Sequence, residues 1–179
     1  MPKGQEPTGA DLIARWQREQ PARGKALAKA TRQLGSGGTG NKKDGSLDER
    51  AEAAHEEAFS RIDCLDCANC CRSIPPIVNT ADAKRLARFL RVSEGELHER
   101  YLTRDEDGDT VMNASPCPFL ASDNHCLVYD ARPKACRGYP HTDEGFSRNL
   151  DLHARNLAVC PATWNILERL TGTLPTALR

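Results

Sequence analysis

The chain has 179 residues, its formal net charge is zero, and only 5% of its residues are aromatic. This length suits one domain with an extension, and the composition predicts a small, mostly aliphatic core. The sequence has no apolar stretch of membrane-spanning length and no signal-peptide core, so we expect a cytoplasmic protein that does not enter a membrane. Thiols stay reduced in the cytoplasm, and eight cysteines therefore need an explanation other than disulfides.

The first 45 residues differ in charge from the rest of the chain. Residues 1–45 carry a net charge of +5 and residues 46–179 a net charge of −5. Helical patterning over residues 9–34 is interrupted by Pro21, and a Gly/Ser-rich linker follows from Gly35 to Ser46. We therefore expect a flexible basic arm and linker (1–45) followed by a cysteine-cluster metal-binding domain (46–179). Nucleic acid is an unlikely partner, because no aromatic residues alternate with the basic ones as stacking platforms.

The domain opens with a helix that leads towards the cysteines. Ser46 and Glu49 form a capping box, and the apolar residues that follow are spaced for one face of a helix. These residues are Leu47, Ala51, Ala54, Ala58 and Ile62. We expect the helix to reach the first thiols, so that Cys64 lies on or beside its last turn.

Further elements follow in short order. A second helix begins at Thr80 and is expected to bury Leu86, Phe89 and Leu90, and a capping box at Ser93 opens a third helix. The acidic run 105–109 fits a solvated turn better than a calcium loop, because Thr110 replaces the glycine that an EF-hand needs. A β-hairpin is predicted between Phe119 and Tyr129. A short helix after Pro133 and a last helix at 161–170 complete a mostly helical α+β domain with one short hairpin.

The eight cysteines are the strongest functional signal. They are Cys64, Cys67, Cys70, Cys71, Cys117, Cys126, Cys136 and Cys160. Without a βαβ setting a redox-active dithiol is disfavoured, which leaves zinc or an iron–sulfur cluster. The C-x-x-C-x-x-C spacing resembles that of ferredoxins. Eight thiols would furnish two four-ligand sites, joining the first helix, the hairpin and the last helix.

The division of the thiols between two sites stays open. A helix that persists through the cluster would group Cys64 and Cys67 with Cys71, whereas a helix that unwinds would group them with Cys70. His125 and His141 are candidate substitutes for a thiolate, although a lone histidine more often has another role. Arg132 and Arg137 flank Cys136 and could offset thiolate charge.

The motifs resemble those of the YkgJ-type cysteine-cluster family. The segments that match are "CLDCANCC", "CPFL", "CLVYDARPKACRGYP" and the late "CP", and they cover residues 64–160. This family is described as a zinc- or iron-chelating domain and is also called a predicted Fe–S oxidoreductase. The resemblance implies that all eight cysteines are metal ligands. The stretch "HTDEGFSRNLDLHA" does not align readily and is a candidate for member-specific features.

Two functions follow as hypotheses. The first is a metalloprotein that binds iron, preferably as an iron–sulfur cluster, or zinc, with a redox or accessory role and a redox or protein partner. The alternative is a binding module in which Zn²⁺ is structural and the function lies in a partner-binding surface. No independent catalytic constellation is present, so enzyme activity would depend on the cluster alone.

Overall fold

A computed structural model of the chain describes residues 7–34 and 45–175. Two strands, β1 (Leu102–Arg104) and β2 (Thr110–Met112), form an antiparallel hairpin in which Thr103 pairs with Val111. Two short 3-10 helices span Tyr129–Ala131 and Phe146–Arg148. The α-helices within the described ranges are, in chain order, α1 (Gly9–Gln33), α2 (Leu47–Phe59), α3 (Cys64–Cys67), α4 (Asn69–Ser73), α5 (Thr80–Leu90), α6 (Glu94–Tyr101), α7 (Lys134–Arg137), α8 (Leu150–Asn156) and α9 (Pro161–Leu170). The predicted mostly helical α+β class with one short hairpin is confirmed.

The chain divides into two compact units. The first unit comprises the described parts of residues 1–67 and 140–179, and the second comprises Ala68–Tyr139. Each unit has its own cluster of buried apolar side chains, which is expected of a substructure that can exclude water by itself. No helix in the described parts of the chain has the length and apolar character needed to cross a membrane.

Helix α1 is part of the first unit. Leu12, Trp16 and Leu27 are buried in its apolar cluster, and the Trp16 indole donates a hydrogen bond to the carbonyl of Leu157 (2.9 Å). The predicted break at Pro21 is wrong: the helix continues through this exposed residue. Burial on both sides of the proline offsets the hydrogen bond that its ring removes.

The packing of α1 differs from the loosely attached arm expected for residues 1–45. Residues 9–33 contact α8 and α9, because the helix has an apolar face that needs a partner. The Gly-rich residues 35–44 lie outside the described ranges. The division of the chain at residue 45 therefore stays a prediction.

Helix α2 begins as predicted but ends before the cysteines. The Ser46–Glu49 capping box is present, and Ala51, Ala54 and Ala58 are buried. The helix stops at Phe59, so the expectation that it reaches the first thiols is wrong. Cys64 and Cys67 lie on the separate one-turn helix α3, and Ala68 then adopts a left-handed conformation (φ 47°). No continuous helical phase runs through the four clustered cysteines.

The second unit is built on α5, α6 and the hairpin. Leu86 of α5 is fully buried in its apolar cluster, as predicted, and Leu97 of α6 is also fully buried there. Phe89 is 47% exposed, which corrects the prediction that it is buried. At 100° per residue Phe89 projects from the edge of the stripe centred on Leu86 and Ala87 and is not fully covered.

The hairpin does not lie where the sequence predicted it. The acidic run is the turn of the hairpin: Asp105 accepts hydrogen bonds from the amides of Asp107 (3.1 Å) and Asp109 (2.8 Å), and Gly108 supplies a φ of 85°. The segment predicted as the hairpin forms one isolated antiparallel bridge, between Leu120 and Cys126. It cannot extend into strands, because a 3-10 helix begins at Tyr129.

The C-terminal part of the first unit contains one predicted helix and one unforeseen helix. Helix α9 follows Cys160 as expected and buries Trp164, Ile166 and Leu167 completely. Helix α8 forms within the stretch that gave no clear pattern in the sequence. This helix has only seven residues, too few to be stable alone, and its packing against α1 and α9 stabilises it.

Candidate metal centre

Five of the eight predicted site residues lie in the second unit. They are Cys70, Cys71, Cys117, Cys126 and Cys136, and each is partly buried. The other three, Cys64, Cys67 and Cys160, lie in the first unit. None of the eight cysteines, all of which lie in the described ranges, forms a disulfide.

Backbone hydrogen bonds place the cysteines of the second unit. The amide of Cys117 donates to the carbonyl of Cys71 (2.8 Å), which joins the loop after β2 to helix α4. Cys126 sits in the isolated bridge to Leu120, and both Cys117 and Cys126 pack against the apolar cluster. Cys136 lies on α7, where its amide donates to the carbonyl of Pro133 (3.0 Å). Three separate segments thus bring thiols to one region of this unit.

Four of these thiols are mutual electrostatic neighbours. Burial raises the pKa of the Cys117 thiol, and negative charge on Cys71 and Cys126 raises it further. Burial also raises the pKa of Cys126, with Cys71 acting in the same direction. For Cys136, burial followed by the charges of Cys71, Cys117 and Cys126 raises the pKa to about 12. Every pair among Cys71, Cys117, Cys126 and Cys136 is therefore close enough to interact.

Cys71 differs from the other three because a second thiol lies next to it. The neighbouring thiol of Cys70, with its sulfur 4.0 Å away, is the main cause that lowers the pKa of Cys71 to about 6. Burial opposes this shift, and the guanidinium groups of Arg132 and Arg72 support it. Cys71 is consequently the one thiolate of the four at neutral pH, whereas the other three must lose a proton to bind a metal.

Main-chain amides also point at the sulfurs. The amide of Phe119 supports the thiolate form of Cys117, and the amide of Val128 does the same for Cys126, two residues further on in each case. Hydrogen bonds of this kind stabilise ligating thiolates and orient them. The segments "CPF" and "CLV" thus share one local structure, in which the amide two residues after the cysteine donates to its sulfur.

The positive charge of Arg132 acts on several thiols of the cluster. The guanidinium of Arg132 stacks on the Tyr129 ring, 3.4 Å from its centroid. Its charge helps to lower the pKa of Cys71 and partly offsets the rise in the pKa of Cys126 and Cys136. Arg137 donates to the carbonyl of Arg132 (2.9 Å). Of the two arginines that flank Cys136, Arg132 is thus the one whose charge acts on the thiols, while Arg137 holds the backbone.

Cys160 has a structural role in the first unit. It is the N-cap of α9, and its sulfur accepts a hydrogen bond from the amide of Thr163 (3.5 Å). Burial raises the pKa of this thiol. Cys64 is exposed and Cys67 is partly buried, both on α3. The predicted convergence of all eight cysteines stays a prediction.

The histidines divide into surface and core residues. His125 is largely exposed, with its ring 3.8 Å from Asp123, and does not belong to the four-thiol cluster. His153 is fully buried, its ring is stacked on Phe146 with centroids 4.3 Å apart, and neither ring nitrogen has a hydrogen-bond partner. No sequence pattern indicated a role for His153, because it lies in α8, which was not predicted.

The fit of a metal to the four thiols can be judged from the donors themselves. Across residues 7–34 and 45–175, no three His, Cys, Asp or Glu side chains are already gathered as closely as the ligands of a bound metal. The four thiols are nonetheless mutual neighbours, half-buried, and supported by amides and guanidinium groups. Thiolates are the donors that Zn²⁺ and iron–sulfur clusters take. The donor set fits such a group, provided that binding draws the sulfurs closer together.

Two residues of the second unit hold the segment before Cys136, although they lie far from any cysteine in the sequence. Asp82 and Arg85 of α5 contact residues 131–134, just before Cys136. Sequence reasoning missed them, because Asp82 and Arg85 read as ordinary charged residues at the start of a helix. The only available signal was Asn79–Asp82 as a capping pair.

These features define a cysteine-rich domain with a four-thiol cluster. The family model named CxxCxxCC, a "Putative zinc- or iron-chelating domain", matches residues 63–161, which is more than half of the chain. The chain belongs to this family and binds metal through a cysteine-rich domain. No curated protein and no solved structure matches it.

Proposed function

We propose that Cys71, Cys117, Cys126 and Cys136 bind one metal centre within the second unit. The observation that supports this assignment is the convergence of their segments: the amide of Cys117 donates to the carbonyl of Cys71 (2.8 Å), Cys117 and Cys126 pack on the same apolar cluster, and the four thiols interact electrostatically. The unit has its own apolar core, so it can hold the centre without ligands from elsewhere. Cys64, Cys67, Cys70 and Cys160 stay predicted ligands of a second site.

The charge of the site suits a dianionic centre. Four thiolates around a divalent ion leave a net charge of −2, and Arg72 and Arg132 supply two positive charges beside Cys71. Partly buried charges need such compensation, since burial alone disfavours the thiolate form. The arginines therefore act in the same direction as the metal, which replaces the protons of the three neutral thiols.

An iron–sulfur cluster is our preferred occupant and zinc the alternative. The all-thiolate donor set favours the cluster, because four cysteine thiolates are its usual ligands. A redox or accessory role would then follow, with electrons exchanged with a partner protein. Such a protein should be brown when purified without oxygen and contain iron and acid-labile sulfide, and it should bleach when exposed to air.

Serine variants test the ligand assignment. Cys71→Ser, Cys117→Ser, Cys126→Ser and Cys136→Ser should each lose the metal of the second unit when metal content per chain is measured. His125→Gln is the matched control: this exposed residue directly precedes Cys126, and we expect the metal content to remain that of the unmodified protein. A Cys136→Ser protein with full metal content, or a His125→Gln protein without metal, would contradict the assignment.

A second candidate function has one specific observation in its favour. Among the described residues, the large apolar side chains that are most exposed all belong to the second unit, and two of them, Leu127 (63%) and Tyr129 (48%), closely follow Cys126 in the chain. A structural zinc site would present these side chains on a rigid surface suited to a protein partner. The protein would then be colourless, contain zinc and show no redox response, which separates this function from the first.

A further inference from the structure

The segment that precedes Cys136 is held by two charged residues of α5. Asp82 is 2% exposed, and its carboxylate oxygen Oδ1 accepts hydrogen bonds from the Arg85 guanidinium (2.5 Å) and from the amide of Lys134 (3.1 Å). A buried carboxylate is costly to place unless its oxygens are paired. Here one oxygen joins α5 to the first residue of α7, more than 50 positions later in the chain.

Arg85 continues the same connection. While bound to Asp82, its guanidinium donates to the carbonyls of Ala131 (3.3 Å) and Arg132 (2.5 Å). The planar guanidinium forms several hydrogen bonds in fixed directions. Arg85 therefore restricts both the backbone conformation of residues 131–132 and their distance from α5. Residues 131–134 are thereby fixed on both sides of Pro133.

This backbone determines the position of two groups in the cluster. Cys136 lies on the single turn of α7 that starts at Lys134, and Pro133 accepts the hydrogen bond from its amide. Arg132 is the residue whose guanidinium acts on the thiols of Cys71, Cys126 and Cys136. A shift of residues 131–134 would displace a thiol and its compensating charge together.

We propose that Asp82 and Arg85 are positioning residues of the metal centre, which hold Cys136 and Arg132 in place through the backbone of residues 131–134. This inference rests on the proposed four-thiol site, and it adds two residues that have no ligating atom in it. Partners of this kind around metal ligands typically contribute 10- to 100-fold to metal affinity. The same size of effect is expected here.

Zinc affinity, measured by competition with a chromophoric chelator, tests the proposal. Arg85→Ala should lower the affinity of the second unit about 10- to 100-fold. Arg85→Lys should recover part of the loss, since its ammonium can still bind Asp82 or one carbonyl. The matched control is Lys84→Ala, which removes an exposed charge one residue away on the same helix and should leave the affinity unchanged.

A double-mutant cycle separates positioning from general loss of structure. A Cys136→Ser protein keeps three of the four thiolates and should retain weak Zn²⁺ affinity that a titration can measure. If Arg85 acts chiefly through Cys136, then Arg85→Ala should lower this residual affinity much less than it lowers that of the unmodified protein, whereas a loosened fold would lower both equally. Asp82→Asn should behave like Arg85→Ala in this cycle. Should Arg85→Ala not fold, as judged by circular dichroism of the metal-free protein, Arg85→Lys takes its place in the cycle.

The outcomes distinguish the two proposals. Unchanged affinity in both Arg85 variants, or fully additive losses with Cys136→Ser, would overturn the positioning role and leave the four-thiol site standing. Unchanged affinity in Cys136→Ser itself would overturn the site. A Co²⁺ titration adds a spectroscopic check, because weaker sulfur-to-cobalt charge transfer in Arg85→Ala would report the displaced thiolate directly.

Discussion

At the scale of single residues, the thiols of the second unit are chemically unequal. The pKa of Cys71 is lowered to about 6, chiefly by the Cys70 thiol, while burial raises that of Cys136 to about 12. Only the thiolate is a nucleophile. In metal-free protein at pH 7, iodoacetamide should therefore modify Cys71 well before Cys136, as resolved by peptide mass spectrometry.

The pH dependence of this reaction provides its control. Labelling of Cys71 should rise as the pH passes through about 6 and level off above pH 7, because the thiolate is then fully formed. Cys70→Ser removes the main cause of the shift and should move this rise to higher pH. Equal labelling rates for Cys71 and Cys136 at pH 7 would contradict the difference between the pKa values of the two thiols.

His153 should make the first unit sensitive to acid. Its pKa is lowered from 6.5 to about 4, first by burial and then by the charge of His141, with the backbone of Phe146 opposing the shift. The folded state thus favours the neutral ring, so the stabilisation is complete above pH 6.5 and is lost as the pH falls towards 4. The loss at pH 5 should be about 2 kcal/mol in urea unfolding of metal-free protein.

A matched pair of histidine variants checks this expectation. His153→Leu should flatten the stability profile between pH 6.5 and pH 4, since no buried imidazole then has to be protonated on unfolding. His125→Gln changes a largely exposed ring and should leave the profile as it is. An unchanged slope in His153→Leu would assign the acid sensitivity to other groups.

At the scale of elements, the pairing of α1 with α9 depends on a buried ion pair. Both carboxylate oxygens of Glu168 lie 2.6 Å from an Arg15 nitrogen, Arg23 approaches to 2.9 Å, and the Glu168 side chain has no exposed surface. Removal of Glu168 would leave the buried Arg15 guanidinium with only the partly exposed Glu19 as an ion-pair partner among the described residues, so most of its compensation would be lost. Glu168→Ala should lower the free energy of unfolding by about 3–5 kcal/mol.

An exposed ion pair of the same helix is the control for that prediction. Arg32 lies 2.7 Å from Asp151 of α8, and both side chains are open to solvent. Arg32→Ala should cost at most about 1 kcal/mol. Similar losses for the two variants in chemical unfolding would mean that burial does not determine the contribution of these pairs.

At the scale of the whole molecule, the two units should respond differently to metal removal. The proposed centre lies within residues 68–139, so chelation should speed amide hydrogen exchange mainly in α4, the 117–126 loop and α7. Helices α1 and α9 belong to the other apolar cluster and should keep their protection. Equal loss of protection in both units, measured by mass spectrometry, would instead favour the predicted convergence of all eight cysteines.

The sequence alone determined the local features of this protein. The capping boxes at Ser46 and Ser93 and the apolar periods of α2, α6 and α9 were readable, because caps and helical faces depend on residues three or four positions apart. The eight cysteines and the family that they indicate could be identified for the same reason, because the sequence motifs of ligands are short. The continuity of α1 through Pro21 could not be predicted, because the burial of Trp16 and Leu27 outweighs the tendency of proline to interrupt a helix.

Only the tertiary structure decided which residues act together. Spacing could not tell Cys70 from Cys71, whereas the folded chain places Cys71 among Cys117, Cys126 and Cys136 and gives it the guanidinium of Arg132. Asp82 and Arg85 gained their roles only when α5 met residues 131–134. The physical reason is that charge interaction and hydrogen bonding depend on distance in space, and segments up to 65 positions apart come within that distance only after the apolar cluster of the second unit has formed.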